Sequence, residues 1–587
     1  MSVFKTINHD VDFCVVGGGL SGLCAAVAAA RHGLKVALMQ DRPMLGGNAS
    51  SEIRMWVLGA HGKNKQETGL VEELTLMNYH RNPYKNYSIW DSIMWEMAKQ
   101  EKNITLLLNC SCLDAQMNGS RIASVTGWQT TTQTWQTVRA SLFADCSGDS
   151  VLAPLSGAEY RVGHEARSEF NEENAPLKAD RQTMGMSILI QARETASPKT
   201  YIPPVWAEKY TKEMLPHRIP DIKNDSENFW YLELGGTRDS IADTEELRDE
   251  LLCIAYGMWD FVKNDPENRE KNANFDLDWI GFLPGKRESR RYTGDLVMSQ
   301  NEVQSEGKFE DIAAYGGWPM DDHHPEAFRT REEPTTYYPA PSPFGIPYRC
   351  LYSRNIENLF CAGRNISVSH VTLSSTRVMR TCAIIGEAVG VAAFLASHYS
   401  ETPRGVYKNH LKELQQTLME DDCWLPGLCR EPSTLTKNAK LASTAGSFEV
   451  LRNGNDRPIE NEDNGCYFEI GDFAEYSFDK DTHVKRARFV FDSDLNRDTQ
   501  LEGSIYKHPM YSTYYLNTQS CHMPKTMVKD FCLTITMADG EQKIIEKNGN
   551  YKRLVYVDID LCVKAIRFQP LSTWGNPQAH VFSFEVE

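Results

Sequence analysis

Three glycines near the start of the chain have the spacing of a phosphate-binding turn. Gly17, Gly19 and Gly22 form the pattern G-x-G-x-x-G. Gly17 allows a tight turn, Gly19 lets the backbone approach a pyrophosphate, and Gly22 lets a helix pack closely on a strand. The phosphates then lie at the free N–H groups and positive end of that helix, where Leu20 and Ser21 stand. The pattern therefore predicts a dinucleotide site.

The segments around these glycines fit the elements that such a site needs. Residues 11–16 are a mostly apolar run, residues 20–32 are an alanine-rich helical stretch, and residues 34–39 form a second apolar run. The acidic residue expected on the ribose hydroxyls falls at Gln40, with Asp41 next to it. Either side chain can hydrogen-bond a ribose. The order strand, glycine turn, helix, strand predicts a nucleotide-binding unit.

Two further turns have the composition of ligand loops. The stretch from Arg42 to Glu52 contains Gly46, Gly47 and Asn48 and directly follows the ribose position. Its place favours a loop against a ligand over an ordinary surface turn. Residues 145–149, Asp-Cys-Ser-Gly-Asp, follow a strand, and could lie beside the same ligand or form a plain turn.

A late segment returns the chain to the same region. Residues 359–362 read as a buried strand that ends at Gly363, and a long helix is predicted from about Thr376 to His398. His370 precedes this helix by a few residues. A histidine near its ordinary pKa can take a proton from an alcohol or give one to a carbanion. The alternative is a structural histidine.

Taken together, these motifs resemble the FAD-dependent oxidoreductase family, whose members include flavoproteins related to the heterodisulfide reductase A subunit, and more broadly the glutathione-reductase-like flavoproteins. The resemblance covers roughly residues 10 to 400. It implies that the late helix aims its N-terminus at the pyrimidine edge of the flavin. The iron–sulfur cysteine clusters of the heterodisulfide relatives are missing here, so that chemistry is not carried over. The residues that the resemblance places around FAD are Gly17, Gly19, Leu20, Ser21, Gly22, Gln40, Asp41, Arg42, Gly46, Gly47, Asn48, Asp145, Gly148, Asp149, Gly363, Arg364, Ser374 and Thr376.

The middle of the chain carries a basic stretch. Lys286, Arg287, Arg290 and Arg291 follow an apolar run at residues 279–284. Such a group can bind a substrate anion, polarise a carbonyl, or pair with acidic neighbours. Both the substrate role, with Arg287 and Arg291 as catalytic candidates, and structural ion pairing stay open.

Composition limits the classes of partner. The chain has 62 Lys and Arg against 79 Asp and Glu, a net charge of −17. This charge argues against nucleic acid and anionic membranes as partners. The 15 cysteines show no C-x-x-C and no framework spacing. We therefore expect a cytoplasmic protein without a metal centre, and the adjacent His323 and His324 are expected to line a pocket rather than bind an ion.

The predicted fold class is an α/β FAD/NAD(P)-binding Rossmann-like domain with an inserted α+β substrate domain and a C-terminal all-β sandwich. The FAD-binding domain takes residues 1–160 and 346–435, the substrate or cap domain residues 161–345, and the sandwich residues 445–587. The piece at residues 486–495 faintly resembles galactose-binding-like sandwiches. The sandwich is therefore expected either to bind carbohydrate or to serve in packing or homo-oligomer formation.

The predicted function is hydride transfer between a small polar substrate, such as a sugar or glycoside hydroxyl, and flavin N5, with His370 as the base. The electron donor or acceptor is expected to be external, because only one dinucleotide pattern is visible. An alternative is reduction of an activated C=C bond in a carboxylate substrate held by the arginines. A third hypothesis is a flavin-bearing binding protein without turnover.

Overall fold

The computed structural model describes residues 3–224, 227–499 and 507–587. Within it, the contacts divide the chain into two compact units. One contains Met1–His61, Tyr84–Leu414 and His508–Gln519, and the other contains Gly62–Pro83, Gln415–Lys507 and Ser520–Glu587. Each unit is described by itself. The predicted division into four domains stays a prediction.

The first third of the chain builds most of a seven-stranded sheet. Its order is β3-β2-β1-β6-β5-β4, with β18 pairing the end of β6. The elements in this part are β1 (Thr6–Val16), α1 (Leu20–Arg31), β2 (Val36–Met39), α2 (Leu70–Arg81), α3 (Tyr87–Lys99), β3 (Ile104–Leu107), β4 (Cys110–Asn118), β5 (Arg121–Gln129), β6 (Thr134–Asp145) and α4 (Leu152–Ser156), and the late strand is β18 (Leu359–Cys361).

The core of this sheet is parallel. Strand β1 pairs in parallel with β2 and with β6, and β18 pairs in parallel with β6. Val16 lies opposite both Met39 and Asp145, and Cys361 lies opposite Asp145. The carboxyl ends of four strands therefore meet at one edge, where open α/β sheets bind their ligands. The Rossmann-like core is confirmed.

The middle of the chain forms small sheets around one long helix. Helix α6 buries one apolar face, as its leucines and aromatic residues at helical spacing predict. The elements are β7 (Tyr160–Arg161), α5 (Arg167–Phe170), β8 (Met186–Ser187), β9 (Ile190–Glu194), β10 (Glu233–Leu234), α6 (Thr244–Asn264), β11 (Phe275–Ile280), β12 (Gly285–Lys286), β13 (Arg291–Tyr292), α7 (Gln300–Gln304), β14 (Ile312–Gly316), β15 (Met320–His323), β16 (Thr335–Tyr338) and β17 (Phe344–Pro347).

The late helical segment differs from the prediction of one helix from Thr376. A short helix comes first, and Val378 is extended, so the long helix begins at Met379. A Cβ on Gly386 would lie 2.0 Å from the Ser21 carbonyl oxygen, so this glycine lets the long helix pack directly on α1. The helices here are α8 (His370–Thr376), α9 (Met379–His398), α10 (Pro403–Asn409), α11 (Leu411–Glu420) and α12 (Thr434–Asn438).

Helix α9 is also the one helix in the described residues that is long and apolar enough to cross a membrane by length and composition. Its most apolar window has a mean hydropathy of 1.5 and is 89% buried within the protein. Core helices have the same properties.

The second unit contains an antiparallel sheet of seven strands. Its order is β20-β26-β21-β25-β23-β24, and β19 pairs β21. The two longest strands, β21 and β25, pair with each other, and their pairing contains register shifts. A buried pair joins α2 to this unit, with Arg497 Nη1 2.8 Å from Glu72 Oε1. The strands are β19 (Lys440–Ser443), β20 (Cys466–Glu469), β21 (Ala474–Phe491), β22 (Thr513–Tyr514, in the first unit), β23 (Val528–Met537), β24 (Gln542–Lys547), β25 (Leu554–Thr573) and β26 (Gln578–Val586).

Candidate functional site

The predicted glycine turn follows β1 at the carboxyl edge of the parallel sheet. Gly17 has φ +104°, and a Cβ there would lie 2.4 Å from the backbone of Cys146. A Cβ on Gly22 would lie 1.8 Å from the Gly17 carbonyl oxygen. A Cβ on Gly19 would meet only Gly47 Cα, at 3.9 Å. Two glycines therefore permit tight packing, while Gly19 faces open space at the start of α1.

This open space fits the diphosphate of a dinucleotide. Gly19 is the N-cap of the 12-residue helix α1 and makes no side-chain cap bond, so the first-turn N–H groups stay available, Leu20 and Ser21 among them. The Gly46-Gly47 loop lies alongside, with Gly46 N donating to Gly18 O at 2.8 Å. The residues present therefore suit FAD.

The side chains at the predicted ribose position have different surroundings. Gln40 is buried, its Oε1 accepts from Gly18 N at 2.7 Å, and its amide nitrogen donates to Met44 O. Its contacts thus hold the two loops together. Asp41 is 61% exposed, and Arg42 Nη1 lies 3.5 Å from Glu52 Oε2. Of the three, Asp41 and Arg42 keep side chains accessible to a ligand.

Asp149 contacts two basic residues of the candidate cofactor site. Lys286 Nζ and Arg364 Nη2 each lie 2.8 Å from its carboxylate, and Ser289 Oγ donates to it at 2.8 Å. Burial opposes the charge, but Arg364 and Lys286 lower the pKa of Asp149. Arg364 Nε is buried without a hydrogen-bond partner among the described residues. This orphaned donor suits an acceptor oxygen of the cofactor.

Asp145 and its neighbours complete the strand edge. Asp145 Oδ2 accepts from Leu152 N and from Tyr292 Oη, both at 2.7 Å, and burial raises its pKa. Gly148 has φ +78°, and a Cβ there would lie 2.4 Å from Arg364 Nη1. Asp145 therefore fixes the turn by accepting from the Leu152 backbone and from Tyr292. Asn48 Nδ2 donates to Lys286 O at 3.0 Å and so joins the Gly46–Asn48 loop to the basic stretch.

The hydroxyls of Ser374 and Thr376 bond inside α8. Ser374 Oγ donates to Val371 O at 2.6 Å and Thr376 Oγ1 to Thr372 O at 3.4 Å, and both residues are buried. The helix N-terminus expected at Thr376 lies instead at Met379. The implied aim of that terminus at the flavin stays a prediction.

The structure shows the ion-pairing alternative for Arg287 and Arg291. Arg287 Nη1 lies 3.2 Å from Glu233 Oε2 and donates to Ser187 Oγ at 2.8 Å. Arg291 lies 3.3 Å from Glu165 and 3.4 Å from Glu288. Both arginines are buried. Their guanidinium groups pair with these carboxylates, which favours structural ion pairing, and the catalytic assignment of both arginines stays a prediction.

His370 lies buried between two carboxylates at the start of α8. Its Nδ1 is 2.9 Å from Glu288 Oε2 and its Nε2 is 3.1 Å from Asp322 Oδ1. Burial lowers the pKa, but Glu288 and Asp322 outweigh it and raise the pKa of His370 to about 10. Both ring nitrogens lie against carboxylates, which favours the structural alternative, and the role of His370 as the base stays a prediction.

A second histidine, which the sequence did not single out, lies against His370. The ring centroids of His164 and His370 are 3.7 Å apart. His164 Nδ1 contacts Asp180 Oδ1 at 2.8 Å, and burial together with His370 lowers the pKa of His164. The only sequence signal was the acidic residue that follows it, Glu165. We call His164, Glu165, Asp180, Glu288, Arg291, Asp322 and His370 the acid-rich cluster.

The other predicted histidine pocket holds a different arrangement. His323 Nδ1 lies 2.6 Å from Glu233 Oε2, and its Nε2 lies 3.4 Å from Asp321 Oδ2. Arg287 pairs with Glu233, and Arg377 pairs with Asp321 at 3.2 Å. Each carboxylate thus has its own guanidinium. We call these five residues the balanced cluster.

One segment joins the cofactor site to the acid-rich cluster. Ser289 contacts Asp149, whereas the preceding residue, Glu288, contacts His370. The two sites therefore draw on consecutive residues of one segment, Glu288 and Ser289.

Comparisons with solved structures give distant likenesses. The chain is similar to a geranylgeranyl bacteriochlorophyll reductase-like protein from Thermoplasma acidophilum, with 12% identity, a TM-score of 0.34, and coverage of 70% of this chain and 84% of that chain. It is similar to a flavin-dependent brominase with 8% identity, a TM-score of 0.33, and coverage of 70% and 86%. The family 32 carbohydrate-binding module of Streptococcus pneumoniae EndoD gives 16% identity, a TM-score of 0.20, and coverage of 26% and 99%. Such low TM-scores support no functional argument.

The family comparison is decisive. No curated protein gave a significant match to the chain. The family model for FAD dependent oxidoreductase matches residues 12–418, which include the glycine turn, the acid-rich cluster and α9. The more specific kinship with glutathione-reductase-like or heterodisulfide reductase proteins stays a prediction. The chain belongs to the FAD-dependent oxidoreductase family, and FAD is its cofactor.

Proposed function

We propose that this oxidoreductase oxidises a hydroxyl-bearing carbon of a small, uncharged polar substrate. The observation that carries the proposal is the charge of the site. The acid-rich cluster offers carboxylate acceptors to a hydroxyl, and it repels a substrate carboxylate. The arginines that a carboxylate would need are already paired with Glu233, Glu165 and Glu288. The competing reduction of an enoate therefore loses its anion-binding group.

The chain's residues bind and orient in this scheme. The Gly17–Gly22 turn, Arg42, the Gly46–Asn48 loop and Arg364 would hold FAD, whose bound flavin supplies a hydride acceptor at N5. Oxidation breaks the substrate C–H and O–H bonds. The bound flavin would accept the hydride and the proton would leave past the acid-rich cluster to water, which gives a carbonyl product.

Two partly exposed members of the cluster are suited to meet the hydroxyl. The side chains of His164 and Asp322 are 15% and 18% exposed, whereas that of His370 is 2% exposed. Asp322 stays ionised, because His370 outweighs burial and lowers the pKa of Asp322. His370 then acts as a positioning residue that fixes the Asp322 carboxylate.

Anaerobic mixing tests the proposal. Polyols and glycosides should bleach the flavin absorbance of the oxidised protein, and enoates should leave the reduced protein unchanged. Reoxidation by enoates alone would favour the reductase alternative. No spectral change with any substrate class would favour a flavin-bearing binding protein. Where a hydroxyl substrate does bleach the flavin, an external electron acceptor should restore the absorbance.

The sugar preference includes a proposal for the second unit. Tyr467 is 47% exposed and stacks on His580, with ring centroids 4.1 Å apart. The half-exposed Asp463 contacts the same histidine at 3.4 Å. An exposed aromatic face beside a carboxylate suits the C–H face and hydroxyls of a sugar.

Calorimetry with the full chain tests this binding. Glycans that bind the unchanged protein should no longer bind Tyr467→Ala. They should still bind Tyr84→Ala, a control at another exposed tyrosine. The full chain is required because the second unit also includes Gly62–Pro83. Equal binding by both variants would contradict the proposal and leave the packing alternative.

A further inference from the structure

Three potential metal ligands converge in the acid-rich cluster. One ligand atom from each of His164, Asp322 and His370 lies within 4.8 Å of the other two. It is the one such group of three found in the described residues. Ligands about 2 Å from a shared ion are themselves separated by roughly 3 to 4 Å. A modest contraction would therefore bring all three into coordination.

The surroundings of both histidines match those of metal ligands. Asp180 contacts His164 Nδ1, and Glu288 contacts His370 Nδ1. A carboxylate on one ring nitrogen fixes the tautomer and presents the other nitrogen to an ion. His370 Nε2 indeed faces Asp322 Oδ1 at 3.1 Å. Two imidazoles with carboxylates near their Nδ1 atoms, and a third carboxylate, Asp322, within reach, form an arrangement that suits a metal ion.

The charge of the cluster also favours a cation. Glu165, Asp180, Glu288 and Asp322 stand against the buried Arg291. The partly exposed Arg161 adds one contact to Glu165, at 3.7 Å. The ring contact of the two histidines disfavours two imidazolium charges side by side. A divalent ion would offset the excess negative charge without that repulsion.

We propose that His164, His370 and Asp322 bind a divalent first-row metal ion, such as Zn²⁺ or Fe²⁺, beside the flavin site. Two nitrogen ligands and one carboxylate leave coordination positions open. This inference rests on the proposed function: the substrate hydroxyl oxygen takes one of the open coordination positions. The ion lowers the pKa of the bound hydroxyl, whose proton leaves to water as the hydride leaves carbon.

Metal analysis of the purified holoenzyme tests the site without relying on activity. The protein is freed of metal with a chelator and then titrated with Zn²⁺ or Co²⁺. We expect about one ion per chain and visible Co²⁺ bands typical of nitrogen and oxygen ligands. Less than a tenth of an equivalent, with no bands, would overturn the proposal.

Variants assign the ion to these residues. His164→Gln and Asp322→Asn should each weaken Co²⁺ binding at least a hundredfold, while His324→Gln, at a neighbouring partly exposed histidine, should leave it unchanged. Retained flavin absorbance and melting temperature show that each variant is folded. Unchanged binding in both ligand variants would place the ion elsewhere and overturn the proposal.

Turnover separates this inference from the proposed function. If the metal binds as expected but no hydroxyl substrate bleaches the flavin, the metal site stands and the proposed function fails. In the opposite case, the protein binds no ion at this cluster, and hydroxyl substrates react equally well before and after treatment with metal. The proposed function then stands and the metal site fails.

Discussion

The balanced and acid-rich clusters start from the same strand, β15, yet differ in charge. Successive side chains of a strand point to opposite faces. Asp321 and His323 therefore enter the balanced cluster, and Asp322 between them enters the acid-rich one. In the first, each carboxylate has a guanidinium partner. In the second, four carboxylates surround two histidines. The difference teaches that the balance of charges around a buried histidine, rather than its burial, distinguishes a structural cluster from a candidate functional one.

The largest expected effect is on the stability of the balanced cluster. Arg287→Met leaves Glu233 buried without its guanidinium partner, which typically costs about 3–5 kcal/mol in free energy of unfolding. Urea unfolding of the first unit measures this loss. The double variant Arg287→Met/Glu233→Gln should recover much of it. A loss below about 1 kcal/mol would show that the cluster is not a stabilising ion-pair network.

A change in the acid-rich cluster should affect function more than stability. Asp322→Asn removes a partly exposed carboxylate, so the expected stability loss is only about 1–2 kcal/mol. Turnover of hydroxyl substrates should fall at least a hundredfold, with flavin content unchanged. Stopped-flow flavin reduction measures the rate. The comparison fails if Asp322→Asn proves as destabilising as Arg287→Met.

Acid pH should weaken the balanced cluster in a defined direction. Burial raises the pKa of Glu233, but Arg287 and His323 outweigh it, so the net shift is downward from 4.5. The folded state thus holds this carboxylate ionised where the unfolded state takes up a proton. Its stability contribution is present above about pH 4.5 and is lost as the pH falls toward the lower folded value.

Melting temperatures at pH 6 and pH 4 measure this contribution. The fall should be smaller in Glu233→Gln than in the natural protein. An equal fall in both would assign the acid sensitivity to other carboxylates.

The smallest effect on the protein itself is expected outside both clusters. Gly19→Ala places a methyl group in the open space at the start of α1, so the apoprotein should keep its melting temperature. FAD affinity should drop about tenfold, a change of roughly 1.4 kcal/mol. Titration of apoprotein with FAD measures it. Unchanged affinity would place the diphosphate away from this turn, whereas lost stability would show that the space is needed for folding.

The nucleotide-binding part of the fold was predictable because its signals are local. The glycine turn, α1 and the two flanking strands all follow from one continuous stretch. Other features depend on distant packing. The break at Val378 before α9, for example, has no Gly or Pro signal.

The candidate site was less predictable for the same reason. His164 and His370 are far apart in the chain and come together only through the tertiary fold. The alternation that sends Asp322 away from His323 follows from strand β15, whose pairing with β16 forms only in the folded chain. The basic stretch indicated charge correctly, but only the structure shows which carboxylates occupy Arg287 and Arg291.

The central claim is that the acid-rich cluster, unlike the balanced one, holds a functional cation beside the flavin. Anomalous X-ray scattering from crystals of the metal-loaded holoenzyme, measured on both sides of the metal's absorption edge, tests it directly. The account predicts one strong peak bounded by His164, Asp322 and His370, and none at His323. A flavin-containing crystal without a peak among those three residues would contradict it.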